Sequence, residues 1–233
     1  MLEVKGLCKE FTVHQWGRRI EGFSDISFSV DEGEFFGLSG QSGSGKSSLM
    51  KCIYRTYIPT SGAAVYQSPF NGKVDLATLP EHDLLALRIG EIGYVPQFLR
   101  AVPRVSSVDV VAEPLVKRGV DPDEAAERAE DLLRRLLLPK RLFEAYPSTF
   151  SGGEQQRVNL SRAIIAGFNL LLLDEPTASL DRRAKDIISE ILWEEKRRGA
   201  TIVCISHDTT FLSDLADRIG FMKGGRMTEV LDA

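Results

Sequence analysis

Along the chain, the period of the hydrophobic and polar positions changes several times, and each period predicts a different element. Residues 2–36 contain alternating stretches, which predict β-strands. The short apolar run 35–38 predicts a further strand. Residues 170–173 and 201–205 are continuous apolar runs, which are typical of strands buried on both faces of a parallel sheet. A further strand is predicted over residues 92–95.

Helical spacing marks the segments between these strands. One helix is predicted from about Lys46, and another begins at Asp121, which is a suitable N-cap ahead of Pro122 and Glu124. A third predicted helix begins after Ser151. A strongly amphipathic helix lies before the strand 201–205, and its apolar face is formed by Ala184, Ile187, Ile188, Ile191 and Leu192.

Alternation of strands and helices predicts an α/β fold around a mostly parallel sheet flanked by helices. Residues 98–159 interrupt this alternation with helical character of their own. We therefore predict a single domain over residues 1–233. Its core comprises residues 1–97 and 160–233, and residues 98–159 are expected to form an inserted helical subdomain.

Composition narrows the class of protein. Hydrophobic residues make up 43% of the 233 positions and charged residues 27%, which favours a globular domain and excludes a disordered chain. The net charge of −4 argues against a nucleic-acid partner, because such proteins normally carry basic surfaces. The apolar runs are far shorter than a membrane span, and the N-terminus reads as a strand rather than a signal peptide. We expect no membrane span in this chain and a cytoplasmic location, peripheral to the inner membrane if a transporter is served.

The cysteines Cys8, Cys52 and Cys204 are scattered, and no two of them form a C-x-x-C pair. This spacing favours a reducing compartment without a disulfide or zinc framework. Each cysteine is predicted to be a small, buried apolar residue.

A loop rich in glycine and serine follows the predicted strand 35–38, and it fits the phosphate-loop pattern G-x-x-x-x-G-K-[ST] at every fixed position. Its glycines let the chain curl so that backbone N–H groups face phosphate oxygens, and the following helix adds its positive N-terminal end. Lys46 is expected to reach the β- and γ-phosphates and Ser47 to ligate Mg²⁺. The predicted cofactors are ATP and Mg²⁺, and the predicted binding residues here are Gly40, Gln41, Ser42, Gly43, Ser44, Gly45, Lys46, Ser47 and Ser48.

Two carboxylates, Asp174 and Glu175, come directly after the apolar run 170–173. Ligands of open α/β sheets bind at the carboxyl ends of the strands. Asp174 is therefore predicted to hold Mg²⁺, directly or through water, and Glu175 to polarise the attacking water. The sequence thus predicts hydrolysis of the γ-phosphate, with Glu175 and Lys46 as catalytic residues.

Residues Phe150-Ser151-Gly152-Gly153-Glu154-Gln155-Gln156-Arg157 resemble the signature motif of ABC ATPases. The resemblance implies the nucleotide-binding domain of that family, a P-loop NTPase with an antiparallel β subdomain. It also implies that Ser151, Gly152, Gly153 and Glu154 contact the γ-phosphate of ATP held by an opposite subunit. Two chains, as a homodimer or a pseudo-dimer, would then face each other head to tail.

Other positions fall in the family's order. Gln97 resembles the Q-loop glutamine, which senses Mg²⁺ and the attacking water, and Asp181 in Ser179-Leu180-Asp181 resembles the D-loop residue that acts across the dimer. His207 is similar to the switch histidine, a catalytic residue that contacts the γ-phosphate. Phe11 stands where an aromatic ring stacks on adenine, although tyrosine is commoner there.

A narrower resemblance concerns the stretch from Gln97 to Leu115, which is similar to the L subunits of bacterial carbon–phosphorus lyase systems for phosphonate use. That resemblance implies other lyase subunits as partners, and ATPase work that supports synthesis of a ribose-phosphonate triphosphate. Arg100 and Arg104 fit a partner contact or a solvated basic edge equally well.

The alternative is the ATPase subunit of an ABC exporter or lipoprotein-release transporter, with a membrane permease as partner. DNA-repair and translation ATPases of the ABC type fit less well, because they would need a long coiled-coil insertion or two cassettes. A pure interaction module would be expected to lack Lys46 or Glu175, and both are present.

Overall fold

The computed structural model describes residues 1–13, 18–99 and 103–233. In chain order, its helices and strands are β1 (Leu2–Val13), β2 (Arg18–Val30), β3 (Phe35–Gly40), α1 (Lys46–Ile53), β4 (Ser61–Ser68), β5 (Gly72–Asp75), α2 (Glu81–Gly90), β6 (Ile92–Val95), α3 (Ser107–Val116), α4 (Pro122–Arg135), α5 (Gly152–Ile165), β7 (Leu170–Asp174), α6 (Arg182–Arg197), β8 (Thr201–Ile205), α7 (Thr209–Leu215), β9 (Arg218–Lys223) and β10 (Arg226–Asp232).

The chain divides into two compact units, the first formed by residues 1–87 and 201–233. An antiparallel sheet in this unit has the order β2-β1-β4-β5. A second set of strands has β3 between β8 and β9, parallel to both, and β10 runs antiparallel to β9. Phe28 and Phe36 stack with ring centroids 4.9 Å apart. The parallel arrangement places the end of β3, and the loop after it, at the carboxyl edge of the strands.

The second unit comprises residues 88–200. Its strands β6 and β7 are parallel, and Ile92 lies opposite Leu170. Helices α3, α4 and α5 pack around an apolar cluster. The cluster comprises Val108, Val110, Val111, Ala112, Leu115, Ala125, Ala129, Leu133, Leu138, Phe143, Phe150 and Val158.

The expected α/β class, with parallel strands, an antiparallel β part and a helical part, is confirmed. The cap predicted at Asp121 is present, since its Oδ1 accepts from the N–H groups of Asp123 at 3.0 Å and Glu124 at 3.3 Å. Helices α3 and α7 and strands β9 and β10 were not predicted. Helix α3 contains Pro114, and proline is unfavourable inside a helix, so the sequence pattern did not indicate one there.

Among the described helices, none is long and apolar enough to cross a membrane. The cysteines follow the prediction in part: Cys52 and Cys204 are buried, whereas Cys8 is only half-buried. None of the three forms a disulfide within the described residues.

Candidate nucleotide site

The phosphate loop connects β3 to α1, and glycine is required at both of its ends. Gly40 has φ 144°, and a Cβ there would lie 2.1 Å from the carbonyl oxygen of Met222. Gly45 has φ 98°, and a Cβ there would lie 2.5 Å from the carbonyl oxygen of Gly22. A side chain at either position would collide with backbone, so the sequence pattern has a direct steric cause.

Lys46, the first residue of α1, is buried, with 5% of its surface exposed. Its ammonium group donates to the carbonyl oxygens of Gly40 at 2.6 Å and Gln41 at 3.0 Å, and to Ser44 Oγ at 3.3 Å. Oxygen atoms of the loop therefore surround the Lys46 ammonium group. Ser47 and Ser48 are half-buried in the same turn, whereas Gln41, Ser42 and Gly43 are exposed.

The N-terminus of α1 has the properties of an anion site. Gly45 is its N-cap, and no side chain in the described part of the chain caps it. The first N–H groups of a helix lack intrahelical partners and carry partial positive charge. The first turn of α1 contains no acidic residue. The loop and helix together therefore fit the phosphates of a nucleotide.

Phe11 and His207 also belong to the first unit. The ring of Phe11 meets that of Tyr57 edge to face, with centroids 5.4 Å apart, and the Lys9 ammonium lies 5.1 Å from its centroid. Phe11 is half-buried because it packs against Gly22, where a Cβ would lie 2.7 Å from the ring. His207 is exposed and lies two residues after the end of β8.

In the second unit, the acidic pair is at the carboxyl end of β7. Asp174 is 2% exposed, and the Tyr94 hydroxyl donates to its Oδ2 at 3.5 Å. Glu175 is partly buried and has a left-handed backbone, with φ 54°. Such a backbone is unfavourable for a residue with a Cβ, so neighbouring groups must hold it.

The signature residues form the N-terminus of α5. Ser151 and Glu154 form a capping box, in which the Ser151 N–H donates to Glu154 Oε2 at 2.9 Å and the Ser151 hydroxyl donates at 2.7 Å. The Ser151 hydroxyl and N–H lower the pKa of the Glu154 carboxyl. Gly152 and Ser151 are exposed, and a Cβ on Gly153 would lie 2.8 Å from the carbonyl oxygen of Ser179. The exposed helix start remains open to a ligand outside the chain.

The remaining predicted residues of the second unit lie in its loops. Asp181 is the N-cap of α6, where its Oδ1 accepts from the Ala184 N–H at 2.8 Å. Gln97 is exposed, one residue after Pro96. Of the two arginines considered as partner contacts, Arg104 is exposed and Arg100 lies outside the described residues.

Helix α5 has two buried amides to which the motif analysis assigned no role: Gln156, which lies within the signature, and Asn159, which follows it. Gln156 Nε2 donates to the carbonyl oxygens of Pro176 at 3.2 Å and Glu175 at 3.5 Å, and Asn159 Nδ2 donates to Pro96 at 2.8 Å. The available signal was that both lie on the helix face that also carries apolar residues.

The described residues contain no cluster of three or more His, Cys, Asp or Glu side chains that would hold a metal alone. Mg²⁺ is often bound by one or two protein oxygens together with substrate phosphates, so the Ser47 hydroxyl beside the phosphate loop is a suitable donor. The loop and the uncapped helix of the first unit therefore fit the phosphates of Mg-ATP.

The fold and the phosphate loop define a P-loop nucleotide-binding domain. Comparison with known proteins is more specific: the family model described as ABC transporter matches residues 23–178, and the chain belongs to this family. It is therefore an ATPase that binds ATP with Mg²⁺.

Several proteins are similar over most of this chain. ABC transporter ATP-binding protein YtrE of Bacillus subtilis is 34% identical over 99% of this chain and 100% of its own length. Lipoprotein-releasing system ATP-binding protein LolD of Bordetella pertussis is 38% identical over 90% of this chain and 88% of its own. Macrolide export ATP-binding/permease protein MacB of Wolinella succinogenes is 34% identical over 98% of this chain, which matches 34% of that protein.

Solved structures give the same family. The dimeric, post-hydrolysis structure of the ATP-binding cassette MJ0796 with ADP and Pi is similar at a TM-score of 0.90 and 27% identity. The match covers 100% of this chain and 98% of that one. The structure of an ATP-binding subunit of an ABC transporter is similar at a TM-score of 0.83 and 28% identity, over 100% and 90% of the two chains.

Proposed function

We propose that this chain is the ATPase subunit of an exporter or lipoprotein-release transporter, and that its partner is a membrane permease. The observation that carries the proposal is the near full-length similarity to LolD, whose name assigns it to a lipoprotein-releasing system. MacB supports it, because that protein combines an ATP-binding part with a permease in one chain. The described helices of this chain include no membrane-spanning candidate.

This proposal reverses the order of the two interpretations made from the sequence. None of the relatives named above is a subunit of a carbon–phosphorus lyase. The comparisons therefore favour the transporter over the lyase system. The lyase interpretation depends on the stretch from Gln97 to Leu115, part of which lies outside the described residues.

The proposed chemistry divides among residues of both units. Lys46 and the N–H groups of residues 40–48 bind the phosphates, Phe11 contacts the adenine, and His207 contacts the γ-phosphate. When bound, Mg²⁺ neutralises charge on the β- and γ-phosphate oxygens. Ser47, Asp174 and Gln97 are its proposed ligands. Glu175 accepts a proton from the attacking water, since a carboxylate so placed is a suitable general base.

We propose that two cassettes work as a pair, in which residues 151–154 and Asp181 of one chain complete the nucleotide site of the other. The exposed start of α5 supports this, because Ser151 and Gly152 are accessible to a ligand. The dimeric form of MJ0796 supports it as well. Within each chain, we propose that residues 98–159 are the helical signature subdomain and the remainder is the core.

Co-purification from native cells tests the choice of partner. The tagged chain is extracted in mild detergent and the proteins bound to it are identified, with an untagged strain as control. We expect an integral membrane permease in near-equal amount. Recovery of carbon–phosphorus lyase subunits without a permease would contradict the transporter proposal.

A further inference from the structure

Helix α5 carries two buried amide side chains three residues apart, and therefore on one face. Gln156 is 3% exposed and Asn159 is 4% exposed. Because an unsatisfied buried amide is costly, the groups it bonds to are defining features of its site. Both amides donate to backbone carbonyls of loops that carry proposed catalytic or metal-binding residues.

Gln156 holds the backbone at Glu175. Its Nε2 carries two hydrogens and donates to two successive carbonyls, those of Glu175 and Pro176, at 3.5 and 3.2 Å. Glu175 has a φ of 54°, a left-handed conformation that is unfavourable for a residue with a Cβ. The two hydrogen bonds constrain the peptide that aims the Glu175 carboxylate.

Asn159 acts in the same way on a second loop. Its Nδ2 donates to the Pro96 carbonyl at 2.8 Å, and the next residue is Gln97, a proposed Mg²⁺ ligand. One face of α5 therefore fixes the loop before Gln97 and the loop at Glu175.

The N-terminal end of α5 carries the signature residues. Gly153 packs closely on the Ser179 carbonyl, and Ser151 with Glu154 closes the capping box. An α-helix rises about 1.5 Å per residue and is stiff over two turns, so a shift at its first turn carries Gln156 with it. A ligand at the exposed helix start thus has a short mechanical connection to Glu175.

We propose that Gln156, supported by Asn159, is a positioning residue that aligns Glu175 when the partner's ATP engages residues 151–153 of the same chain. This inference rests on the roles given to Glu175 and residues 151–153 in the proposed function. It assigns to α5 a link between the two nucleotides of the pair: the ATP bound across the interface sets the geometry of the general base in this chain.

The test is Gln156→Met, which keeps the length and helix propensity of the side chain and removes both N–H donors. ATP turnover and ATP-dependent dimer formation are measured on the purified chain. We expect kcat to fall about tenfold or more, because a misplaced base slows the chemical step, while the KM for ATP stays within about twofold. The ATP-bound dimer should still form, because the phosphate loop and the proposed ATP contacts at residues 151–154 are unchanged. A purely structural role would instead lower dimer formation together with turnover.

Two comparisons sharpen the result. Gln67→Met makes the same change at an exposed position of β4, outside the proposed site, and should retain turnover within about twofold. In a Glu175→Gln background, Gln156→Met should cause no further loss, because residues that act through one another are non-additive. If Gln156→Met is insoluble, Gln156→Asn replaces it, because asparagine shortens the side chain by one methylene and withdraws the amide. The same fall in kcat and the same near-constant KM for ATP are then expected.

Normal turnover in Gln156→Met, an equal loss in Gln67→Met, or full additivity with Glu175→Gln would each overturn the inference. If Glu175→Gln itself retains full turnover, the proposed role of Glu175 fails as well. The Glu175→Gln result therefore separates the failure of the proposed function from the failure of this inference. No permease is required, so the choice of partner does not affect the outcome.

Discussion

Single residues of the candidate site are held by backbone contacts as much as by side chains. The Lys46 ammonium is surrounded by carbonyl oxygens of its own loop, and Glu175 and Ser179 adopt left-handed φ angles of 54° and 65°. Left-handed residues that carry a Cβ persist where their surroundings impose the conformation, and they are enriched at functional sites. Backbone contacts thus constrain Lys46 in the first unit, and Glu175 and Ser179 have unusual backbone conformations in the second.

The cysteines give a prediction at the same scale. Burial raises the pKa of the Cys52 thiol to about 11, although the charge of Lys9 lowers it somewhat. Because the thiolate is the reactive form, Cys52 should be inert at pH 8 in the folded chain, and buried Cys204 should also be protected. A colorimetric disulfide reagent should modify only half-buried Cys8 quickly, and the other two thiols after unfolding in urea. Cys8→Ser should remove the fast phase, and a second fast thiol in the folded chain would contradict the prediction.

Among the elements, α3 shows how tertiary contacts override a local signal. The helix contains Pro114, yet it forms because Ser106 caps it and because its apolar residues join the cluster shared with α4 and α5. An ion pair adds to this packing: Arg162 of α5 donates to Glu113 Oε2 of α3 at 2.6 Å. Helix α3 thereby restrains α5, the element that carries the signature.

The corresponding prediction concerns Glu113→Gln. Burial raises the pKa of Glu113, but hydrogen bonds and charges from Lys117 and Arg162 outweigh it and leave the pKa below its usual value. A carboxyl whose pKa is lowered in the folded state stabilises the fold at pH values above its unfolded pKa of about 4.3. This stabilisation is lost as the pH falls through the folded-state pKa. We expect Glu113→Gln to lower the free energy of unfolding by about 1 kcal/mol at pH 7, a small value because solvent screens this half-exposed pair.

Urea unfolding of the native chain and of Glu113→Gln between pH 7 and pH 3.5 measures this difference. The gap should stay constant down to about pH 5 and narrow below about pH 4. Glu127→Gln, which changes an exposed carboxylate on α4, should have no comparable effect. A gap that widens on acidification would contradict the ion-pair account.

At the scale of the whole molecule, the candidate residues are divided between the two compact units. The phosphate loop, Phe11 and His207 belong to the first unit, and Asp174, Glu175 and the signature belong to the second. The signature presents an exposed helix end to the outside of the chain. Assembly with a second cassette is therefore the step we expect to control hydrolysis.

Glu175→Gln tests this expectation. The amide cannot accept the proton of the attacking water, so kcat should fall by about 10² to 10⁴, while ATP binding persists. The variant should accumulate as an ATP-bound dimer, which size-exclusion chromatography with light scattering would detect. Glu190→Gln, an exposed change on α6, should behave as the native chain. Full turnover in Glu175→Gln, or a monomer in the presence of ATP, would contradict the proposed pairing.

The amino-acid sequence by itself determined the α/β class, the phosphate loop and the family, because these depend on short-range patterns. An apolar run, a glycine at each end of a tight loop and a serine three residues before a glutamate each specify local geometry from neighbours in the chain. The choice between lyase and transporter lay beyond those patterns, and comparison with relatives along the whole chain favoured the transporter.

Tertiary structure alone decided which distant groups hold the site. The hydrogen bonds from Gln156 to the Glu175 loop and from Asn159 to Pro96 join residues 19–20 and 63 positions apart. The steric need for Gly40 comes from the Met222 carbonyl on β9. Such contacts arise from the packing of elements that meet only in the folded chain, so no periodicity or motif spacing encodes them locally. The physical reason is that a sequence pattern reports the conformation of its own segment, whereas the backbone at Glu175 accepts hydrogen bonds from Gln156 of α5, a helix that meets it only in the folded chain.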